Sequence, residues 1–196
     1  MAEAAVEPSG WERALMAAEK VKERLRRATR ALDDAGVPYA VVGGNAVAEW
    51  VARADEGAVR NTRDVDLLIR RLDLPAARTA LEAGGFVYHQ LLDMDVFIDG
   101  PQGRPSEGVH ILFAGEKVKP EYEHALPDLA ESERAAEFQV TALEALTRMK
   151  LVAWRDKDRT HLRDMIGVGL IDATWPARLP PLLGERLQQL LDDPNG

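Results

Sequence analysis

The sequence contains no cysteine and no long apolar run. The lack of cysteine excludes thiol catalysis, zinc–cysteine sites, iron–sulfur clusters and a disulfide framework. It is compatible with a reducing cytoplasm, where we expect the protein to act. No apolar stretch approaches the ~20 residues that a membrane-spanning helix needs, so we expect no membrane partner. The first residues show no basic segment followed by an apolar one, and we therefore expect no secretory signal.

Basic residues are fewer than acidic ones, with 25 Lys and Arg against 33 Asp and Glu, which gives a net charge of −8. This balance argues against a protein that coats nucleic acid without sequence preference, although it leaves room for a local basic groove. The first predicted helix nevertheless carries six basic residues between positions 20 and 30, which we interpret as the solvated face of an amphipathic helix. A patch that faces phosphate is the alternative, formed by Lys20, Lys22, Arg24, Arg26, Arg27 and Arg30.

The pattern of the chain predicts an α/β fold. Between residues 37 and 115, strand and helix alternate and then strand follows strand, which indicates a mixed sheet flanked by helices. After residue 117 a polar linker precedes three helical segments. We therefore expect a loose tail over residues 1–8 and a helix up to residue 36, an α/β core over residues 37–116, and a C-terminal helical unit packed on that core over residues 117–196.

The sharpest chemical feature is the pair Asp64 and Asp66, with Val65 between them. Side chains alternate along a strand, so both carboxylates point to the same face, with Cα atoms ~7 Å apart. Two such charges at the end of an apolar strand need a counter-charge, and Mg²⁺ or Mn²⁺ is the natural one. Two solvated aspartates at a strand edge are the alternative.

A second feature is the pair Gly43 and Gly44, which stands between a buried strand and a helix. Glycines at this position allow the backbone to approach a phosphate, and the first turn of the helix offers free N–H groups. An ordinary turn is the alternative. Asn45 follows directly, and it can bond a phosphate or cap the helix.

Together these motifs resemble the nucleotidyltransferase superfamily, the polymerase-beta-like minimal nucleotidyltransferases. The resemblance rests on the order of a strand, Gly43 and Gly44, a helix, and then Asp64 and Asp66 on a second strand. The stretch from Arg60 to Asp66 and the later run Lys150-Leu151-Val152-Ala153 look like the branch that contains abortive-infection-type toxins. The resemblance spans roughly residues 37–170.

The resemblance implies a nucleotidyltransferase fold, with a nucleoside triphosphate as the substrate. Gly43 and Gly44 would hold the phosphates of a nucleoside triphosphate, and Asp64 and Asp66 would bind two divalent metal ions, Mg²⁺ or Mn²⁺. The reaction would transfer a nucleoside monophosphate to a hydroxyl of an RNA such as a tRNA 3′ end, of a protein or of a small molecule. A toxin-like role and a cognate antitoxin as partner follow from the resemblance alone.

The resemblance also implies roles for four further residues. Arg60 and Thr62 would buttress the loop or touch the triphosphate. Lys150 would neutralise phosphate charge, and Asp158 would orient Lys150 or the acceptor. An exposed helix lysine is the alternative for Lys150, and surface pairing along a helix is the alternative for Asp158.

One departure from the family pattern concerns the third carboxylate, which acts as general base in many active members. On the strand from Val109 to Phe113, the corresponding position holds His110. A histidine can act as a base or a metal ligand near neutral pH, or it can mark a site that binds nucleotide without transferring it. Asp95 and Asp99 on the preceding strand are alternative acids. A metal-dependent nucleotidyltransferase is our first interpretation, and a catalytically impaired nucleotide-binding or protein-interaction module is the second.

Overall fold

The computed structural model describes residues 9–92 and 94–193, so the predicted tail over residues 1–8 lies outside the described residues. Within them the chain forms six α-helices and seven strands, in the order α1 (Gly10–Asp34), β1 (Ala40–Val42), α2 (Gly43–Ala54), β2 (Val65–Ile69), α3 (Leu74–Ala83), β3 (Phe86–Leu91), β4 (Met94–Asp99), β5 (Val109–Phe113), β6 (Ser132–Arg134), β7 (Gln139–Thr141), α4 (Leu143–Ala153), α5 (Asp156–Gly167) and α6 (Pro181–Asp192).

The strands form one mixed sheet in the order β3-β4-β5-β2-β1-β7-β6. The pairs β2–β5 and β1–β7 are parallel, and the other four pairs are antiparallel. This confirms the predicted α/β fold with a mixed sheet flanked by helices. No helix in the described part of the chain is long and apolar enough to span a membrane.

The sheet extends into the segment that the sequence pattern predicted to be a polar linker. Strands β6 and β7 have three residues each, and β7 pairs with β1 at the centre of the sheet. Three residues are too few to show an alternating pattern, which is why the prediction of a linker was wrong here. Thr141 followed by Glu144 is the pattern of a capping box, but Thr141 belongs to β7, and α4 begins after Ala142 without a side-chain cap.

The two faces of the sheet carry hydrophobic cores of different size. Val41, Leu67 and Ile111 face the main core, to which the helices contribute most of their buried side chains. Val42 and Leu68 face a small cluster on the opposite side. Strand alternation places the side chains of residues 66 and 110 on this second face, where the apolar cover is thinner. The carboxylate of Asp66 therefore emerges at the edge of the small cluster and stays partly accessible.

Candidate active site

Strand pairing brings three potential metal ligands together. In the register of the sheet, Asp66 lies between Val42 on β1 and His110 on β5. Asp64 directly precedes β2. One ligand atom from each of Asp64, Asp66 and His110 lies within 4.8 Å of the other two. The Nδ1 atom of His110 is 3.4 Å from Oδ1 of Asp66 and 3.8 Å from Oδ2 of Asp64.

A backbone carbonyl sets the orientation of the His110 ring. Nε2 of His110 lies 2.8 Å from the carbonyl oxygen of Pro105. Since a carbonyl can only accept, Nε2 carries the proton of the neutral ring, and the lone pair of Nδ1 faces the two carboxylates. The hydrogen bond to Asp66 raises the pKa of His110 above its ordinary value, against the opposing effect of burial. The ring can thus be a cation beside the aspartates or, when neutral, a ligand.

Two polar side chains hold Asp64. Oγ1 of Thr62 donates to Oδ1 of Asp64 at 2.7 Å, and Nδ2 of Asn45 donates to its backbone carbonyl at 2.8 Å. Burial favours the neutral carboxyl, but the Thr62 bond and the charge of Lys157 outweigh it and hold the pKa of Asp64 below its usual range. Of the two alternatives for Asn45, the helix cap was wrong, because Val42 is the N-cap of α2 and the side-chain amide of Asn45 donates to the carbonyl of Asp64.

The glycine pair lies against the aspartates. Gly43 has a φ of +67°, and a Cβ atom built on it would lie 1.9 Å from Oδ2 of Asp66. A Cβ atom on Gly44 would lie 2.9 Å from the side chain of Thr62. Only glycine allows the first turn of α2 to approach the Asp66 carboxylate this closely. The free N–H groups in the first turn of α2 therefore lie next to the acidic cluster of Asp64 and Asp66.

A buried charge cluster lies beside the acidic group. Lys150 on α4 is only 5% exposed, and its Nζ lies 3.1 Å from Oδ1 of the fully buried Asp158. Nε of Arg155 lies 2.6 Å from Oδ2 of the same carboxylate. The alternative of an exposed helix lysine was therefore wrong for Lys150. Burial lowers the pKa of Lys150, whereas the negative charges of Asp158 and Asp66 act to raise it.

Helix α5 also lies next to the loop before β2. Nε of Arg60 contacts both carboxylate oxygens of Asp164, at 2.9 and 2.7 Å. The sequence interpretation overlooked His161, one turn earlier on α5. Its Nδ1 is buried without a hydrogen-bond partner, and burial lowers its pKa to about 4. Its spacing of three residues from both Asp158 and Asp164 was the signal that could have identified it.

The alternative acids lie on the other face of the sheet. Strand β4 places Val96 beside His110, so Asp95 and Asp99 point away from the site. Asp95 accepts a hydrogen bond from Tyr88, and Asp99 pairs with Arg24 and Arg27 of α1. The proposal that either replaces the third carboxylate was wrong.

The basic residues of α1 are largely paired with acids. In addition to the two arginines on Asp99, Arg26 pairs with Glu137 at 2.8 Å and Lys22 with Glu19 at 3.1 Å. Arg24 is buried, and its Nη1 donates to the carbonyl of Arg63, next to the acidic motif. These pairs favour a structural and solvated face over a patch that faces phosphate.

Comparison with solved structures identifies the fold, whereas no family sequence model and no curated protein matches the chain. The antibiotic-resistance factor ANT(2'')-Ia in solution has 18% identity and a TM-score of 0.56, over 90% of this chain and 91% of that one. Its crystal structure in complex with adenylyl-2''-tobramycin also has 18% identity and a TM-score of 0.56, over 87% of this chain and 98% of that one.

A third solved structure is similar to the same extent. The antigenic nucleotidyltransferase-like protein of Paracoccidioides brasiliensis has 19% identity and a TM-score of 0.59, over 90% of this chain and 89% of that one. The chain therefore has the nucleotidyltransferase fold, as its motifs predicted. The narrower resemblance to abortive-infection-type toxins stays a prediction.

Proposed function

We propose that this chain is a metal-dependent nucleotidyltransferase, which transfers a nucleoside monophosphate from a nucleoside triphosphate to a hydroxyl and releases pyrophosphate. The observation that supports this most directly is the group of Asp64, Asp66 and His110, whose ligand atoms lie within 4.8 Å of one another beside the turn at Gly43. Nucleoside triphosphates are made inside cells, which supports a cytoplasmic location.

The donor atoms suit a divalent cation. Two carboxylates and one imidazole nitrogen fit Mn²⁺ better than Mg²⁺, because Mg²⁺ strongly prefers oxygen ligands and imidazole suits later metals. Because Gly43 has no Cβ atom, the start of α2 lies close to Oδ2 of Asp66 without displacing this carboxylate. A bound cation would neutralise phosphate charge and polarise the reacting phosphorus. Asp64, Asp66 and the Nδ1 atom of His110 would hold it.

The other residues of the site would bind and orient the triphosphate. The backbone N–H groups at Gly43 and Gly44 would donate to its phosphate oxygens. Lys150 would neutralise charge on the departing pyrophosphate, and Asp158 would hold the lysine in place. Thr62 would keep Asp64 ionised and oriented. Arg60 would fix the loop against α5 through Asp164.

A small hydroxylated molecule is the acceptor that the comparisons favour. One similar structure is a complex with adenylyl-2''-tobramycin, an adduct formed on a small molecule. A basic patch on α1 would favour RNA as the acceptor, but its arginines pair with acids. Transfer to a tRNA end or to a protein is an alternative outcome of the same assay, and a cognate antitoxin as partner stays a prediction.

Calorimetry with each of the four ribonucleoside triphosphates, in Mg²⁺ or Mn²⁺, tests the site. We expect metal-dependent binding of at least one triphosphate, which Asp66→Asn abolishes. Asp34→Asn makes the same chemical change on the surface and serves as the control. Pyrophosphate release in the presence of pooled acceptors then tests transfer. Binding without release would favour the impaired module, and the absence of any binding would refute the proposal.

A further inference from the structure

Helix α1 carries a charged residue at a core position. Its buried residues, which follow the three- and four-residue spacing of a stripe that faces the core, are Val21, Arg24, Leu25, Ala28, Thr29 and Leu32. Arg24 is the cation among them, and only 5% of it is exposed. Arginine is almost never buried unless it is paired, and apolar residues in place of a buried ion pair often leave stability unchanged or raise it. Packing alone therefore does not explain a guanidinium at this position.

The guanidinium of Arg24 joins two distant parts of the chain. Its Nε donates to Oδ2 of Asp99, at the end of β4, at 3.3 Å, and its Nη1 donates to the backbone carbonyl of Arg63, also at 3.3 Å. Because the guanidinium is planar and rigid, these two donors fix the carbonyl relative to the strand. Arg27, one turn later on α1, pairs with the other oxygen of Asp99. Asp99 therefore orients Arg24.

The carbonyl that Arg24 holds belongs to the residue directly before Asp64. Residues 59–64 form neither helix nor strand, and β2 begins at Val65, so Asp64 lies one residue outside the sheet. Side chains hold its backbone instead, because Nδ2 of Asn45 donates to the carbonyl of Asp64 itself. Two consecutive backbone carbonyls are thus bound by side chains of two different helices, α1 and α2.

We propose that Arg24 is a positioning residue for the metal site. By holding the carbonyl of Arg63, it sets the backbone from which the Asp64 carboxylate reaches the cation. The other carboxylate needs no such support, since Asp66 belongs to β2 and pairs with β1 and β5 on either side. The inference rests on the proposed function, in which Asp64 and Asp66 bind a divalent metal ion together. Groups that orient a metal ligand in this way typically change metal affinity about 10- to 100-fold.

A purely structural ion pair would behave differently in two variants. If Arg24 served only as the counter-charge of Asp99, a lysine would replace it, because an ammonium supplies the same charge. Lysine has no second donor in fixed geometry for the carbonyl of Arg63, so it cannot do both. Arg27 provides the matched control, because it pairs with the same carboxylate, and its other contacts are Glu23 and the ring of Phe86.

Calorimetry with Mn²⁺ on the full chain tests the inference. We expect Arg24→Met to weaken Mn²⁺ binding about 10- to 100-fold, and Arg24→Lys to weaken it nearly as much. Arg27→Met should bind Mn²⁺ like the wild type. Methionine suits the core position, and the side chain of Asp99 is 30% exposed and stays solvated, so Arg24→Met should fold. The lysine variant keeps the counter-charge and gives a second folded chain for the same measurement.

Hydrogen exchange of the segment 59–64 provides a readout that needs no metal. Arg24→Met should speed exchange of these backbone amides, and Arg27→Met should not. Unchanged exchange, or full Mn²⁺ affinity in either Arg24 variant beside a wild type that binds the ion, would overturn this inference alone. A wild type that binds no Mn²⁺ would overturn the proposed function and this inference with it.

Discussion

The close contact between Gly43 and Asp66 yields the most discriminating prediction, because a second glycine provides a matched control. Gly43 and Gly36 both have a positive φ, of +67° and +65°. A Cβ atom on Gly36 meets nothing within 4 Å, whereas one on Gly43 would lie 1.9 Å from Oδ2 of Asp66. Both alanine variants therefore carry the strain of a positive φ, and only Gly43→Ala adds the clash.

The expected losses of folding stability follow from the strain of the positive φ and from the clash with Asp66. A left-handed conformation costs an L-residue about 1–2 kcal/mol, and this is the full expected loss for Gly36→Ala. Gly43→Ala adds the displacement of the Asp66 carboxylate, for which overpacking suggests a further ~1–3 kcal/mol. At about 2–4 °C per kcal/mol for a chain of this size, the melting temperature should fall by roughly 5 °C and roughly 10 °C respectively.

Thermal and urea unfolding, followed by circular dichroism, measures the stability of both variants. Calorimetry with Mn²⁺ measures their affinity for the metal ion. Gly36→Ala should bind the metal ion like the wild type. Gly43→Ala should lose most of its affinity, because the Asp66 carboxylate must turn away from His110. Equal destabilisation of the two variants, with unchanged metal binding, would refute the argument that the backbone at Gly43 rests against Asp66.

Three further predictions concern the buried polar groups. Asp158→Leu leaves Lys150 buried without its partner and should cost about 3–5 kcal/mol in urea unfolding; the double variant with Lys150→Met should cost less than the single one. The pKa of His161 is about 4 in the folded chain against an ordinary value of 6.5. The unfolded chain therefore binds more protons between those values, so stability should fall as the pH drops from 6.5 to 4. Because His161 is partly exposed, the expected loss of stability between pH 6.5 and 4 is about 2 kcal/mol. His161→Gln should flatten this part of the curve of stability against pH, and an unchanged curve would contradict the role of His161. Thr62→Val removes the donor to Asp64 and should weaken Mn²⁺ binding about 10- to 100-fold without a matching loss of stability, whereas unchanged binding would show that Thr62 does not orient the ligand.

Local sequence patterns predicted most of the elements that form the site. The apolar run that ends at Val42, the glycine pair and the alternation of Asp64 and Asp66 are all encoded within a few residues. They predicted a strand, a turn into a helix and two carboxylates on one face. Their combination also indicated the fold, which the solved structures confirm.

Short or context-dependent features escaped these patterns. Strands β6 and β7 were missed because three residues show no period, and their strand character comes from pairing with the sheet. Asn45 was expected at a helix cap or a phosphate, but its bond to Asp64 crosses 19 positions of sequence. No local rule predicts such a contact, because it depends on how α2 lies against the loop before β2.

The sequence by itself determined which residues could carry the chemistry, since residue type and short-range periodicity are local properties. The tertiary structure decided which of them meet. His110 lies beside Asp66 only because β5 pairs in parallel with β2, 44 residues earlier in the chain. Lys150 and Asp158 are buried near the acidic group only because α4 and α5 pack against each other and against α2. Strand register and helix packing are set by long-range burial of apolar surface, and a single sequence read along its length does not reveal them.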